Sequence, residues 1–580
     1  MTETVKLAKK YKKQLILGPM FKVIEVIFEL FTPFLMKYII DIGYKDAIND
    51  GNYKNIIIPG LLILLTVVLG FCSTLVCQHF SSIASQGYGT DLRNAIFKKT
   101  NSLSLREIEL IGKGNILNLI SNDSNRLQLA VAMIIRLVIR APALVIGSLI
   151  MTIFISKEIS LFFFVVTFIL ILFVLLVFIF SSKQIVKIQT KTDMISNLAN
   201  DDLRGIRVIK AFNKVNEEEN KFNNLTEDYY KQARKNTFLN ALVNPITLLF
   251  IDLACVGVLL FAKGDINIGD VTLSSGDLVS LIAYLNQILV ALIVVCNLIL
   301  IFTRAYASKK RTDNFFAIES SIVNNPKVKD VRVNNGDKLF EFNNVSFKYN
   351  EGENNTVANL NFTIYKGETV GIIGGTGSGK STIIKLMERF FDNTDGEIIY
   401  KNNLLKDYDL ISLRNEVSLV DQKNNIFKGT IRENVLMGNK RSDEEVINSL
   451  KLSKAFDFVD RFDEKLDYVL EEGGKNLSGG QKQRICIARA LNKHGEVLIL
   501  DDSTSALDYL TDKEVRENIK KIDNLTTIIV SQRATSLLDC DKIIVMDKGT
   551  VESIGKHEDL LEISSVYKEI YYSQVGVKNE

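Results

Sequence analysis

The chain carries two different hydrophobic rhythms along its 580 residues. In the first half, long apolar runs are separated by polar segments. About 20 apolar residues cross a bilayer. Six stretches reach that length, at roughly residues 15–40, 56–82, 129–155, 159–182, 238–263 and 274–303. One of them, ISLFFFVVTFILILFVLLVFIF, holds no charged side chain, which argues against a helix of a large soluble core. Beyond residue 338 short β-rich runs alternate with helical patterns, as in a layered α/β domain. Between the halves, SSIVNNPKVKDVRVNNGD (320–337) is polar, contains Pro and lacks a strong period, so a linker is expected. The predicted architecture is a membrane all-α domain with six transmembrane helices (1–318), a linker (319–337) and an α/β domain (338–580).

Charge placement orients the spans. Basic segments include the N-terminal MTETVKLAKKYKK, DLRNAIFKKT after span two and KQIVKIQTK after span four. The segments after spans one, three and five are short. By the positive-inside rule the N-terminus, the long basic segments and the C-terminal half are cytoplasmic, in a multi-pass protein of the cytoplasmic membrane. The apolar run after the basic start is long enough to span rather than be cleaved as a signal. Amphipathic elements at Leu105–Asp123 and Asp202–Phe212 mark the cytoplasmic turns. With 70 Lys and Arg against 67 Asp and Glu, nothing suggests a nucleic-acid partner. The six cysteines show no CxxC spacing, so buried thiols are expected rather than disulfides or zinc.

The chemistry concentrates in ETVGIIGGTGSGKST. Gly374 to Ser381 fits G-x-x-x-x-G-K-[S/T], between an apolar strand and a helix. Gly374, Gly375, Thr376, Gly377, Ser378 and Gly379 let backbone N–H groups close around phosphate. Lys380 brings a point charge to the terminal phosphates. The Ser381 hydroxyl can ligate Mg2+, and Thr382 opens a helix whose dipole favours the anion. Downstream, LILDDSTSALD ends a buried strand in Asp501 and Asp502, and Asp501 can hold Mg2+ through water. ATP and Mg2+ are the ligands expected.

With LSGGQKQR (Leu477–Arg484) added, the set resembles the ATPases of ABC transporters. The likeness covers nearly the whole chain and has the layout of an exporter-type half-transporter; GIRVIKAF and GDLVSLIAYL are also similar to exporter stretches. The resemblance implies further roles. Tyr349 would stack on adenine. Gln422 would contact Mg2+ and sense the membrane domain. Ser478, Gly479, Gly480 and Gln481 would bind ATP held by a partner. Ser505–Asp508 would link the two sites, and the amphipathic elements would act as coupling helices, the second docking on the partner.

Two positions depart from the family pattern. Where a catalytic Glu usually follows the strand-end Asp stands Asp502, shorter by one methylene, or about 1.5 Å. Where the family has a His at the γ-phosphate stands Gln532, which can hydrogen-bond but carries neither charge nor proton. The pair resembles the degenerate half of a heterodimeric exporter, whose partner, a homologous half-transporter, supplies the competent Glu and His. A homodimer turning over with Asp and Gln, or an ATP-sensing regulatory membrane protein, are the alternatives. A drug-like amphiphile, lipid or peptide is the cargo class. Glu25, Glu29, Arg136, Arg140, Asp252, Asn286, Gln287 and Asn297 fall within the spans, as a paired structural network or as cargo contacts. If the acids face the cavity, a cationic amphiphile fits. The compact layout and the Lys-, Asn- and Ile-rich usage point to a bacterium.

Overall fold

The computed structural model describes residues 2–262, 273–324, 326–329, 331–350, 352, 354–503 and 506–575. The chain divides into two compact units, Met1–Asn101 with Ile111–Glu319 and Ser102–Leu110 with Ser320–Glu580.

The first unit is helical. Its main elements are α1 (Lys12–Tyr38), α2 (Lys54–Ser102), α3 (Ser124–Met133), α4 (Arg140–Ile155), α5 (Lys157–Ala211), α6 (Val215–Ala241), α7 (Val243–Ala262) and α8 (Ser275–Ala317). Ser156 caps α5 through its side chain, and Ser274 with Asp277 forms a capping box at α8. Helix α8 packs on α1, α3, α4 and α7. A core drawn from α1, α4, α5, α7 and α8 contains Val26, Leu30, Leu144, Phe163, Val258, Leu281 and Ile288. By contrast Leu61, Leu64 and Phe71 on α2 are 61–62% exposed, the face a helix turns to lipid. At 1.5 Å per residue the 55 residues of α5 extend about 80 Å, far beyond a hydrocarbon core of about 30 Å.

Among the described residues, three helical stretches are long and apolar enough to span: Lys54–Ser102, Lys113–Ile155 and Ser275–Val295. Ile159–Phe173 and Pro245–Leu260 are shorter apolar helices. The six spans expected from sequence are therefore met only in part by length and composition. The first expected span lies in α1, where Lys22, Glu25, Glu29 and Lys37 interrupt the apolar run.

The second unit is α/β. A four-stranded sheet has the order β2 (Val357–Tyr365), β1 (Lys338–Phe347), β4 (Asp395–Tyr400), β5 (Asn403–Leu404). A six-stranded sheet has the order β10 (Thr550–Gly555), β9 (Lys542–Asp547), β3 (Thr369–Gly374), β8 (Thr526–Val530), β7 (Val497–Asp501), β6 (Val417–Val420). All its neighbours pair in parallel except β9 with β10. Every residue of β7 and β8 is buried, in keeping with the apolar stretches Val497–Leu500 and Ile528–Val530. The helices that matter for the site are α9 (Lys380–Met387), α10 (Gly479–Asn492), α11 (Tyr509–Lys520) and α12 (Ser565–Val575).

The stretch expected as a linker is strapped to this unit. Val328, Val331 and Val333 pack against the core of the four-stranded sheet. The N–H groups of Lys327 and Val328 donate to the Asp407 carbonyl at 2.9 and 3.1 Å. Three valines in a polar segment suffice to bury one edge of it. The short helix Leu105–Ile111 also joins this unit: Leu105 packs on the same core, and the Ser104 and Ser321 hydroxyls lie 2.9 Å apart.

Candidate functional site

Parallel register gathers the polar residues. Val530 pairs with Asp501 on one side and Ile372 on the other, and Met546 pairs with Gly374. The C-terminal ends of β3, β7, β8 and β9 therefore share one edge of the sheet, the edge where open α/β sheets bind ligands. A cleft of about 250 Å³ opens there. Thr356, the run Thr376–Thr382, Gln422, Asp501, Asp502 and Val530–Gln532 line it.

The loop between β3 and α9 is shaped by glycine. Gly377 and Gly379 have φ of +79° and +97°, where an L side chain is strained. A Cβ on Gly379 would also lie 2.5 Å from the Val357 side chain. The loop wraps Lys380, whose Nζ donates to the Gly374 and Gly375 carbonyls, each at 2.7 Å, and to Ser378 Oγ at 3.4 Å. Burial pulls the Lys380 pKa down, against the opposing pull of Asp501 and Asp502. The ammonium thus sits on weak neutral acceptors, which phosphate oxygens would outbid.

Asp501 is the counterpart. It is 8% exposed, and its polar contact is the Ser381 hydroxyl at 3.5 Å. Burial, then the neighbouring Asp421 and Asp502, push its carboxyl above the usual range. A buried carboxylate next to a hydroxyl fits a hard divalent cation. Among the described residues no group of three or more His, Cys, Asp or Glu could hold a metal. An ion here would draw most of its ligands from phosphate and water, with Ser381, Asp501 and Gln422 as the protein's share.

Asp502 follows at φ +46°, a left-handed backbone that Asp tolerates better than most residues. Its N–H donates to the Val530 carbonyl at 2.8 Å. Gln532 is exposed at the mouth of the cleft. The turn it starts is held by side chains: the Arg533 N–H donates to Ser531 Oγ at 2.9 Å, and the Ala534 N–H to Gln574 Oε1 at 2.8 Å. Gln574 Nε2 in turn donates to the Gln532 carbonyl at 2.7 Å.

Other expected residues stand apart from the cleft. Tyr349 packs edge-on against Phe347 and Phe391, with its hydroxyl 3.3 Å from Thr382 Oγ1. Gly374 and Gly375 act as carbonyl acceptors behind Lys380 rather than as cleft lining. Ser478–Gln481 lies outside the cleft as well. Ser478 N-caps α10 in a capping box: its Oγ accepts from the Gln481 N–H at 3.3 Å, and Gln481 Oε1 accepts from the Ser478 N–H at 2.8 Å. Ser478 and Gly479 are exposed, so the start of α10 offers backbone donors and a positive dipole to the outside. Gln483 on the same helix accepts from the Ala506 N–H at 3.1 Å. Asp508 caps α11, and the bonds it accepts from Thr511 hold its carboxyl below the ordinary range. Ser505, in the expected linking loop, lies outside the described residues, as does the side chain of Asn297. Sequence reasoning missed Thr356, Gln483 and Gln574. Gln483 lies inside the LSGGQKQR run but was given no role there, Thr356 belongs to no motif, and Gln574 is brought in by a helix far along the chain.

In the first unit Glu25 and Glu29 pair with basic side chains, whereas Arg136 and Asp252 do not pair with any of these residues. Lys22 Nζ bonds Glu25 at 2.5 Å, and Arg140 bonds the two Glu29 oxygens at 3.1 and 3.3 Å and lies 3.8 Å from Glu25. Arg136 Nε donates to Ser81 Oγ at 2.8 Å. Gln287 accepts from Ser148 at 3.3 Å and donates to the Glu29 carbonyl at 3.4 Å. Asn286 donates to the Ile282 carbonyl and, like Asp252, is exposed. Glu25 and Glu29 are thus neutralised in place, and the case for a cationic cargo loses its footing.

Comparison with known proteins bears on both units. The family model described as ABC transporter transmembrane region matches residues 15–310, and that described as ABC transporter matches 357–505. An uncharacterized ABC transporter ATP-binding protein of Bacillus subtilis is 31% identical over 95% of each chain. A putative multidrug export ATP-binding/permease protein of the same species is 28% identical over 99% of each. The ATP-bound structure of a bacterial Atm1-family ABC exporter shares the fold, with TM-score 0.80 and 23% identity over 98% of this chain and 99% of that one.

Proposed function

The chain belongs to the ABC transporter family, with membrane and ATP-binding regions in one polypeptide, and from that premise we propose that it is the degenerate half of a heterodimeric exporter. In this family ATP hydrolysis is coupled to transport. The proposal adds that this chain's own site binds Mg·ATP and turns it over slowly, while its Ser478–Gln481 tip completes the partner's site.

The observation that carries the reading is the company Asp502 and Gln532 keep. Both line the cleft that holds Lys380, Ser381 and Asp501. The two positions that would activate water and meet the terminal phosphate are thus the two that depart from the family. A carboxylate set back by one methylene misses a near-attack geometry, and an error near 1 Å costs about a hundredfold in rate. Mg2+, when bound, neutralises charge on the transferring phosphoryl group. Lys380 draws the terminal phosphates in, and the glycine loop replaces their water with N–H donors.

Two surfaces support a second, similar chain. The exposed start of α10 is a phosphate-binding end without a phosphate loop of its own beside it. At the tip of α5, within Asp202–Phe212, Leu203, Val208 and Phe212 are 60–73% exposed, an apolar knob suited to docking on a partner. On this reading the six apolar stretches all span, the N-terminus and residues 338–580 are cytoplasmic, and the membrane is that of a bacterial cell. The relative named for multidrug export supports a small amphiphile as cargo. Tyr349 would turn toward adenine when nucleotide enters.

The test is ATP turnover by the purified chain alone, beside the Asp502→Glu, Gln532→His double variant. A nearly silent wild type and a gain of roughly tenfold or more in the variant are expected. Ordinary exporter turnover by the wild type alone would instead favour a homodimer. No ATP-dependent cargo movement, even with a co-purified partner, would favour a nucleotide sensor.

A further inference from the structure

The turn that carries Gln532 has an outside support that no motif announces. Three of its backbone groups meet two side chains. Ser531 takes the Arg533 N–H, and Gln574 takes both the Ala534 N–H and the Gln532 carbonyl. One planar amide thus grips the turn at two points, 2.7 and 2.8 Å, which fixes its orientation as well as its distance. Gln574 can do this because α12 is pinned further back. Tyr567 is fully buried, its hydroxyl lies 2.8 Å from His557 Nδ1, and Tyr571 stacks on it. Gln574 lies one and two helical turns beyond those anchors, at the end of the helix nearest the cleft.

We propose that Gln574 is a positioning residue for the nucleotide site: it sets where the Gln532 side chain meets the terminal phosphate. The inference rests on reading Gln532 as the terminal-phosphate contact. Without the Gln574 amide, the Gln532 carbonyl and Ala534 N–H turn to water, and the side chain between them loses its fixed origin. ADP lacks the terminal phosphate, so its binding does not depend on this support.

The test is equilibrium binding of Mg·ATP and Mg·ADP to the full-length chain. Gln532→Ala sets the ceiling, and should cut the preference for ATP over ADP by roughly fivefold, the worth of one hydrogen bond. Gln574→Ala and the similarly sized Gln574→Met should each reproduce most of that loss while ADP affinity stays within about twofold. Amide hydrogen exchange at Ala534 should quicken in both. An unchanged ATP preference in Gln574→Ala overturns the proposal. So does an equal weakening of ADP, which marks mere unfolding of the turn. A Gln532→Ala variant with wild-type preference overturns it too, through its premise. Failure of the heterodimer reading shows elsewhere, as ordinary turnover by the wild-type chain, and leaves the ATP-to-ADP preference intact.

Discussion

Two clusters of charge sit at low exposure in this protein, one in each unit, and they are finished differently. In the membrane-type unit Glu25 and Glu29 are met by Lys22 and Arg140, so acid and base satisfy each other. In the ATP-binding unit Lys380 rests on two carbonyls and Asp501 on a stretched hydroxyl contact, and burial shifts both pKa values toward neutrality. The first cluster is balanced in charge without a ligand, although Arg140 Nε, 3.8 Å from Glu25, makes no hydrogen bond. The second becomes complete when phosphate and a cation arrive. Burial of charge therefore does not mark a site by itself; burial with its electrostatic compensation missing does.

The contrast can be broken most directly at Lys380. Lys380→Ala should weaken Mg·ATP binding by the full chain at least about a hundredfold, with little loss of thermal stability, because the ammonium's hydrogen bonds go to neutral acceptors. Retained affinity would sink the site. Arg140→Ala should do the reverse: ATP binding unchanged, and the helical unit destabilised by about 2 kcal/mol, less than for a fully buried pair because Arg140 keeps 22% of its side-chain exposure. Thermal unfolding in detergent reads this, and adding Glu29→Gln, which leaves Glu25 paired with the buried Lys22, should restore most of the loss.

Glu388 sharpens the comparison with the smallest effect. It follows α9, is 6% exposed, and its Oε2 has no hydrogen-bond partner. Burial, only partly offset by Lys493 and Arg414, pushes its carboxyl up to about 7. A raised carboxylate pKa favours the folded state at low pH. That contribution is present in full below the unfolded value of about 4.3 and is lost as pH rises through about 7. The melting temperature of the ATP-binding unit should therefore fall between pH 6 and pH 8 by a few degrees, on the order of a 1 kcal/mol change. Glu388→Gln should flatten that slope, and an equal slope in the variant would refute the assignment.

Much of the ATP-binding unit was legible because its motifs are local. A glycine loop between an apolar strand and a helix needs only neighbouring residues to form, and the buried parallel strands announce themselves as continuous apolar runs. The packing of the expected linker was not legible, because three valines in a polar stretch carry no period, yet each finds a place against the sheet core. The first expected span was only half legible: Lys22, Glu25 and Glu29 look hostile to a bilayer until Arg140, from another helix, is placed beside two of them.

Sequence alone determined the order of the motifs, the α/β character of residues 338–580, and the paired departure of Asp502 and Gln532, since these depend on residue type and short-range spacing. Tertiary structure decided that Asp502 and Gln532 share a cleft with Lys380 while Ser478–Gln481 lies outside it, that Glu25 and Glu29 are paired with Lys22 and Arg140, and that Gln574 holds the Gln532 turn. Those facts depend on parallel register and on where distant helices end, and no local pattern of side chains encodes how far apart in space two distant segments finish.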